Sequence, residues 1–367
     1  MKLTCNGLDL ADAFSKVTKA ITGKSNAPIL EGVKMSAKGN ILTLTATDTE
    51  LTIENTINAN IMLEGDIVVP GKLTCELLRK MGGMPVELDC TDNKVLYINY
   101  LDSKSKINIL DIEEYPKFSD NDYDLTLTMS QKQFKEVING SLFSAATDDT
   151  RPILKGCLIQ ISNENMISVA IDGLRLAKTQ CSITSDYNKN IVVPAKVLQD
   201  ITKLMNDSDD IFTLKCNNKK VFVDLGDTKV IATQLEGEFI AYDRIIPKTF
   251  NTTVNVLKEQ LEQALDRLSI ISRANQANLI KIEVADNVMT LYANSEYGDI
   301  CEKVPISMEG KDLKLAINSK FVNDCLRVIT DEYIKICFSS STEPFTINPV
   351  DSDKYLYLIL PVRVMNN

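Results

Sequence analysis

"VVPGKLTCELLRKM" (68–81) has the form of a strand end running into a short amphipathic helix. It returns as "VVPAKVLQDITKLM" (192–205) and, more loosely, as "AINSKFVNDCLRVI" (316–329). Lys72, Lys196 and Lys320 stand 124 residues apart, and so do Arg79, Lys203 and Arg327. Self-similarity at a fixed interval reports an architecture of repeated units, so it is read before any single element is assigned.

The interval persists beyond that helix. "APILEGVKMSAKGNILTLTATDTELTIE" (27–54) lines up with "RPILKGCLIQISNENMISVAIDGLRLAK" (151–178), setting Asp48 against Asp172, and "ANLIKIEVADNVMTLYANSEYGDICEKVP" (277–305) follows less faithfully. Each copy opens on a helical pattern at 7–21, 130–143 and 257–271, the last with Leu257, Leu261, Ala264, Leu265 and Leu268 on the 3.6-residue period. Between the helices, period-two runs such as "ILTLTA", "VLYINY", "VFVDL" and "YIKICF" read as strands, separated by turn signals such as "AKGN" and "TDNK". The expectation is three similar α+β domains at about 1–122, 123–248 and 249–367, each large enough to carry its own core.

Composition limits the chemistry. The chain has 367 residues, 44% of them hydrophobic, and no apolar stretch of membrane-spanning length. Its first residues, "MKLTCNGLDL", lack the apolar run of a secretory signal, so a cytoplasmic protein is expected. Nine cysteines without a C-x-x-C pair fit neither a disulfide framework nor a zinc site and read as small buried hydrophobes. There is no histidine, which removes the commonest general base and metal ligand together. No phosphate-binding loop and no nucleophile elbow appears, and Asp48 and Asp172, falling in different domains, read as turn formers. A non-catalytic protein without metal or cofactor is expected.

A net charge of −10 argues against a nucleic-acid partner only if the charge is evenly spread, and it is not. Residues i and i+7 of a helix face the same way, so Lys72/Arg79, Lys196/Lys203 and Lys320/Arg327 each form a basic stripe. The opposite faces are expected to be apolar: Leu73, Leu77, Leu78 and Met81; then Leu198, Ile201 and Met205; then Phe321, Cys325 and Ile329. The six helical segments together carry +6, which leaves −16 on the rest of the chain. A single such stripe is usually a solvated helix face, whereas three in register suggest a basic surface on an acidic body. Such a surface holds phosphates without reading sequence.

These elements in this order, with "LEGEFIAYDRIIP" (235–247) and "YLILPVRV" (357–364), resemble the bacterial DNA polymerase III beta subunits, the replicative sliding clamps. The resemblance covers the whole chain. It implies a DNA clamp fold and a head-to-tail homodimer that closes a ring around double-stranded DNA, helices inside and β-sheets outside. Implied partners are the polymerase III alpha subunit, clamp-loader subunits, and other polymerases, ligase and mismatch-repair proteins that carry a clamp-binding peptide. By similarity Lys24, Arg151 and Lys196 face DNA; the stripes add Lys72, Arg79, Lys203, Lys320 and Arg327. Arg151 also fits a structural role at the start of a strand.

The resemblance further implies one apolar cleft between the second and third domains that takes a Q-L-x-L-F-like peptide. Its residues here would be Leu154, Ile171, Gly173, Leu174, Arg175, Leu176, Ile240, Arg244 and Ile245, with Leu358, Leu360, Pro361, Val362 and Arg363 from the C-terminal segment. Leu176 and Ile245 equally suit an ordinary core. Leu174 stands where many relatives carry histidine, and Pro152 and Ile153 where some carry aromatics. For ring closure, "SKSKINIL" (103–110) offers Ile107 and Ile109, and the third domain offers Ile270 and Ile271 after its helix. Lys104 and Lys106 would meet Glu296 and Glu302 across the seam, unless these charges only guard a free edge.

Overall fold

The computed structural model describes the chain except residues 22, 24–26, 93, 117–121, 274–277 and 364–367. Six α-helices lie among the described residues: α1 (Gly7–Val17), α2 (Gly71–Leu78), α3 (Gln131–Leu142), α4 (Ala195–Leu204), α5 (Lys258–Ser272) and α6 (Ser319–Val328). The chain clusters into two compact units, Met1–Lys132 with Asp200–Gln234, and Gln133–Gln199 with Leu235–Asn367.

The first unit holds a five-stranded and an eight-stranded antiparallel sheet. Asn6 opens α1 by accepting from the amides of Leu8 and Asp9, satisfying donors that have no partner inside the helix. The helix then buries Leu10, Ala11, Ala13, Phe14 and Val17. In α2 the buried residues are Gly71, Thr74, Cys75 and Leu78. Leu73, expected on that apolar face, is 60% exposed, because the helix ends at Leu78 and its inner stripe runs through 71, 74, 75 and 78.

The second unit is built on one continuous twelve-stranded sheet. Leu261, Ala264, Leu265 and Leu268 of α5 pack on it at helical spacing, with Val322, Cys325 and Leu326 of α6 in the same cluster. Phe321 is only partly buried at the margin of that cluster, while Cys325 and Ile329 are inside it. Asn318 caps α6 by accepting from the Lys320 amide. Ile270 and Ile271 fall inside the last turn of α5 rather than after it, with Ile270 71% exposed and Ile271 half-buried.

One pairing rule occurs twice. In the first unit Thr228–Thr233 runs antiparallel to Leu51–Asn58, with Ala232 opposite Leu51 and Thr228 opposite Asn55. In the second, Tyr355–Ile359 runs antiparallel to Arg175–Ser182, with Ile359 opposite Arg175 and Tyr355 opposite Thr179. The receiving strands begin 124 residues apart, so each copy of the repeat accepts the last strand of the next. Two strands lack the corresponding pairing among the described residues. Ser103–Asn108 is the outermost strand of the five-stranded sheet. Residues 298–305 of the strand Gly298–Gly310 pair with Val288–Ser295 alone among the described residues.

Candidate partner-peptide cleft and nucleic-acid surface

The residues expected to line the cleft come from four segments of the second unit: around Leu154, the turn 171–176, and residues 240–245 and 358–363. The turn between Asn165–Ile171 and Arg175–Ser182 is fixed by Asp172, whose Oδ1 accepts from the amides of Leu174 and Arg175 at 2.9 and 3.0 Å. Asp48 accepts from Glu50 and Leu51 at the matching turn of the first copy, so both aspartates act as turn formers. Gly173 has φ +93°, a backbone conformation that glycine adopts without a Cβ penalty. This geometry raises Leu174 out of the sheet, 54% exposed.

Below that turn, Leu154, Ile171, Leu176 and Leu358 form a buried floor with Leu158, Val169, Val192 and Tyr242, flanked by the half-buried Ile153 and Ile240. The C-terminal segment passes along it: the Leu360 amide donates to the Leu174 carbonyl at 2.9 Å and the Val362 amide to Ala316 at 2.8 Å. Leu360, Pro361 and Val362 are half-buried, and Arg363, Arg244 and Ile245 are exposed. Leu176, at 1% exposure, is core, whereas Ile245, at 43%, is a surface residue. The assembly offers an apolar base with leucine and isoleucine rims, the chemistry that seats leucine and aromatic anchors.

Arg175 frames the cleft rather than offering it a free cation. It is 8% exposed; its Nε donates to Asp172, its Nη1 to Asp324 and its Nη2 to the Phe143 carbonyl. Its guanidinium also lies over the rings of Phe321 and Phe143. Tyr242 was not singled out from the sequence, although it stands inside the quoted "FIAYDRII". Its hydroxyl donates to Gln160, and burial, aided by the charge of Asp243, pushes it up to about 12. It therefore stays protonated and keeps donating at neutral pH.

The expected nucleic-acid residues are surface residues wherever they are described. Lys72, Arg79, Arg151, Lys196, Lys203, Lys320 and Arg327 are all exposed; Lys24 lies outside the described residues. Arg79 is the C-cap of α2, and Lys203 and Arg327 sit in the last turns of α4 and α6. Cations there also complement the helix dipole, a local reason for the same pattern. Arg79 donates to Ser15 Oγ at 2.9 Å, and Arg327 stands 3.6 Å from Asp324. Arg151 is the N-cap of the 3-10 turn Pro152–Lys155: its carbonyl accepts from the Leu154 amide at 2.9 Å, while its side chain makes no capping bond.

At the expected seam, Lys104 and Lys106 are exposed on Ser103–Asn108, with Lys104 over the Tyr97 ring. Ile107 is buried in its own sheet and Ile109 lies beyond the strand, so the two do not form one exposed face. Glu302 is engaged by Arg267 of the same chain at 2.7 Å, and Glu296 sits in the hairpin turn rather than on a strand. Seven of the nine thiols are buried and Cys301 is exposed. No described helix is long and apolar enough to cross a membrane.

Family models for the N-terminal, central and C-terminal domains of the DNA polymerase III beta subunit match residues 1–119, 128–240 and 243–363. The beta sliding clamp of Staphylococcus epidermidis is 30% identical over 356 residues, covering 94% of each chain. That of Staphylococcus aureus is 31% identical over 357 residues at the same coverage. The solved Bacillus subtilis sliding clamp superposes with a TM-score of 0.95 at 25% identity over 100% of both chains. The Thermotoga maritima beta subunit gives 0.93 at 29% identity, over 99% of this chain and 100% of that one. This chain belongs to the DNA polymerase III beta subunit family. It is a DNA sliding clamp, a non-catalytic processivity factor of the replicative polymerase.

Proposed function

We propose that two copies close head-to-tail into a ring around duplex DNA, each copy contributing three domains divided at about 1–122, 123–248 and 249–367. The observation that carries this is that Ser103–Asn108 and residues 298–305 each lack one neighbour among the described residues. Twice in the chain, a strand equivalent to 298–305 receives a strand equivalent to Ser103–Asn108, and no third such pairing occurs among the described residues. An unpaired strand edge is a template for another chain, and a heterologous contact whose rotation closes generates a ring. The two observed junctions can be matched through their neighbouring ladders, where Ala46 opposes Ile53 and Ala293 opposes Ile300. Carried over at that register, the pairing sets Lys106 opposite Asp299 and Lys104 opposite Cys301. Asp299 replaces the already engaged Glu302 as the carboxylate that fixes the seam.

Inside such a ring the cations of α2, α4 and α6, with Arg151 and Lys24, hold phosphates loosely enough to exchange. Lysine, a flexible point charge, suits sliding better than a rigid fork. The apolar cleft takes a leucine- and phenylalanine-bearing peptide from the polymerase III alpha subunit, from clamp-loader subunits and from other polymerases, ligase and mismatch-repair proteins that use the same motif. Free, mostly buried thiols fit work in a reducing cytoplasm.

The test is topological. Loaded onto nicked circular DNA, the protein is expected to resist high salt and to leave when the circle is cut to a linear form. Release that follows salt alone and ignores linearisation removes the ring.

A further inference from the structure

We propose that a basic recess on the far side of the C-terminal segment receives acidic residues flanking the peptide that the cleft binds. The inference rests on the cleft reading above. The recess, about 890 Å³, opens over the outer faces of Leu279–Ala285, Val288–Ser295 and Leu313–Asn318. Lys281, Lys314 and Arg363 line it against one carboxylate among the described residues, Glu283, with Tyr292 and Val362 among the apolar surfaces. The sheet register explains the grouping. Lys281 stands between Tyr292 and Ala316, and Glu283 between Thr290 and Lys314, so these side chains share one face. Lys303, opposite Thr290, adds another cation to that row.

Glu283 is engaged by Lys314 at 2.8 Å. Lys281 and Arg363 have no carboxylate within ion-pair distance among the described residues. A chain of net charge −10 thus carries, on its outer sheet, a hollow where positive charge exceeds negative by two. The potential in such a hollow favours an anionic partner.

Continuity with the cleft identifies the occupant. The C-terminal segment is a wall common to both: Leu360 is bonded to Leu174 at the cleft rim and Val362 to Ala316 at the recess. Two residues of extended chain span about 7 Å. A peptide anchored in the cleft and lying along this wall therefore reaches Lys281 and Arg363 within a few residues. Apolar anchors supply the affinity in this arrangement, and flanking Asp or Glu residues supply discrimination among partners that share the same anchors.

The experiment compares peptides by fluorescence anisotropy on the full chain. The parent is Gln-Leu-Ser-Leu-Phe; two versions carry a short Asp/Glu extension, one at each end, and two carry serine extensions of the same length. One acidic version is expected to bind about three- to tenfold tighter than its serine counterpart at low salt, as a few exposed ion pairs allow. That gain should vanish in about 0.5 M salt, where the screening length is only a few ångströms. It should also vanish in Lys281→Glu and in the double variant Lys281→Glu/Lys314→Glu, with parent affinity unchanged. Both positions are exposed, and a thermal melt checks that the variants stay folded. A parent that binds with no acidic gain, or a gain that survives Lys281→Glu, overturns the recess and leaves the cleft standing. A parent that does not bind at all removes the cleft and the recess with it.

Discussion

Arg175 Nη1 donates to Asp324 Oδ2 at 2.7 Å, tying the turn that shapes the cleft to α6, the helix that presents Lys320 and Arg327. The two side chains are 9% and 14% exposed, so the pair is shielded from water. Removing one partner of a shielded pair leaves the other charge desolvated and unmatched, at a cost of about 3 kcal/mol. Asp324→Ala is expected to lower stability by roughly that amount in a urea titration. Asp324→Asn, which keeps an acceptor, should cost less. Asp324 also lies near Arg327, so its loss raises the net positive charge of α6. DNA retention should hold while stability falls, and parallel loss of both would mean that α6 itself has been displaced.

Period-two runs located strands closely: "YIKICF" is the strand Tyr333–Phe338 and "VLYINY" is Val95–Tyr100. The long first helices were legible because each buries a full stripe. The short α2 was not, since eight residues leave too few turns to set the phase, and Leu73 fell on the wrong side. That Leu154, Ile171, Leu176 and Leu358 lie together was legible through the repeat and the family resemblance. The burial of Arg175 was not, because its partners Phe143, Phe321 and Asp324 are remote in sequence and only the fold brings them together. The intrachain partner of Glu302 was hidden for the same reason: Arg267 lies 35 residues away on a different element.

Leu360 is the sharpest test of the cleft. It is half-buried at the rim and held by its own amide, so a charge there alters the rim without removing a core contact. Leu360→Asp is expected to weaken the parent peptide by about 2–3 kcal/mol, roughly 30- to 150-fold, as for loss of a central anchor. The melting curve should be unchanged. Equal affinity in a titration would move the peptide elsewhere.

The proposed seam can be locked covalently. If Lys104 lies opposite Cys301 across two copies, their Cβ atoms fall about 4.5–5.5 Å apart, close to disulfide range. Lys104→Cys under mild oxidation is then expected to give a covalent dimer in a non-reducing gel. The wild-type chain, and the variant with Cys301→Ser added, should not. Crosslinking that persists without Cys301 would show a different register or a different interface.

Salt dependence counts the phosphate contacts. Each one removed from duplex DNA lowers the slope of log K against log salt by about 0.9. Lys196→Gln and Lys320→Gln together should therefore flatten the slope by about 2, measured on short linear duplexes where topology gives no hold. The effect should be the same for unrelated sequences. A loss confined to one sequence would indicate base reading, which flexible lysines on helix surfaces do not perform.

The thiols set an alkaline limit. Burial pushes Cys5 and Cys157 from 9.0 up to about 12, because the thiolate cannot be solvated inside the sheets. The folded chain therefore keeps these protons at a pH where the unfolded chain loses them. With more protons bound to the native state, stability falls as pH rises. The contribution is complete below pH 9 and declines toward pH 12, by about 1 kcal/mol for each thiol at pH 10. Urea midpoints taken at pH 8, 9 and 10 should fall in that order, and Cys157→Ala should reduce the drop between pH 9 and 10 even though it lowers stability at pH 8. In the native protein at pH 8, a thiol reagent should modify Cys301 first and reach Cys5 and Cys157 only through unfolding.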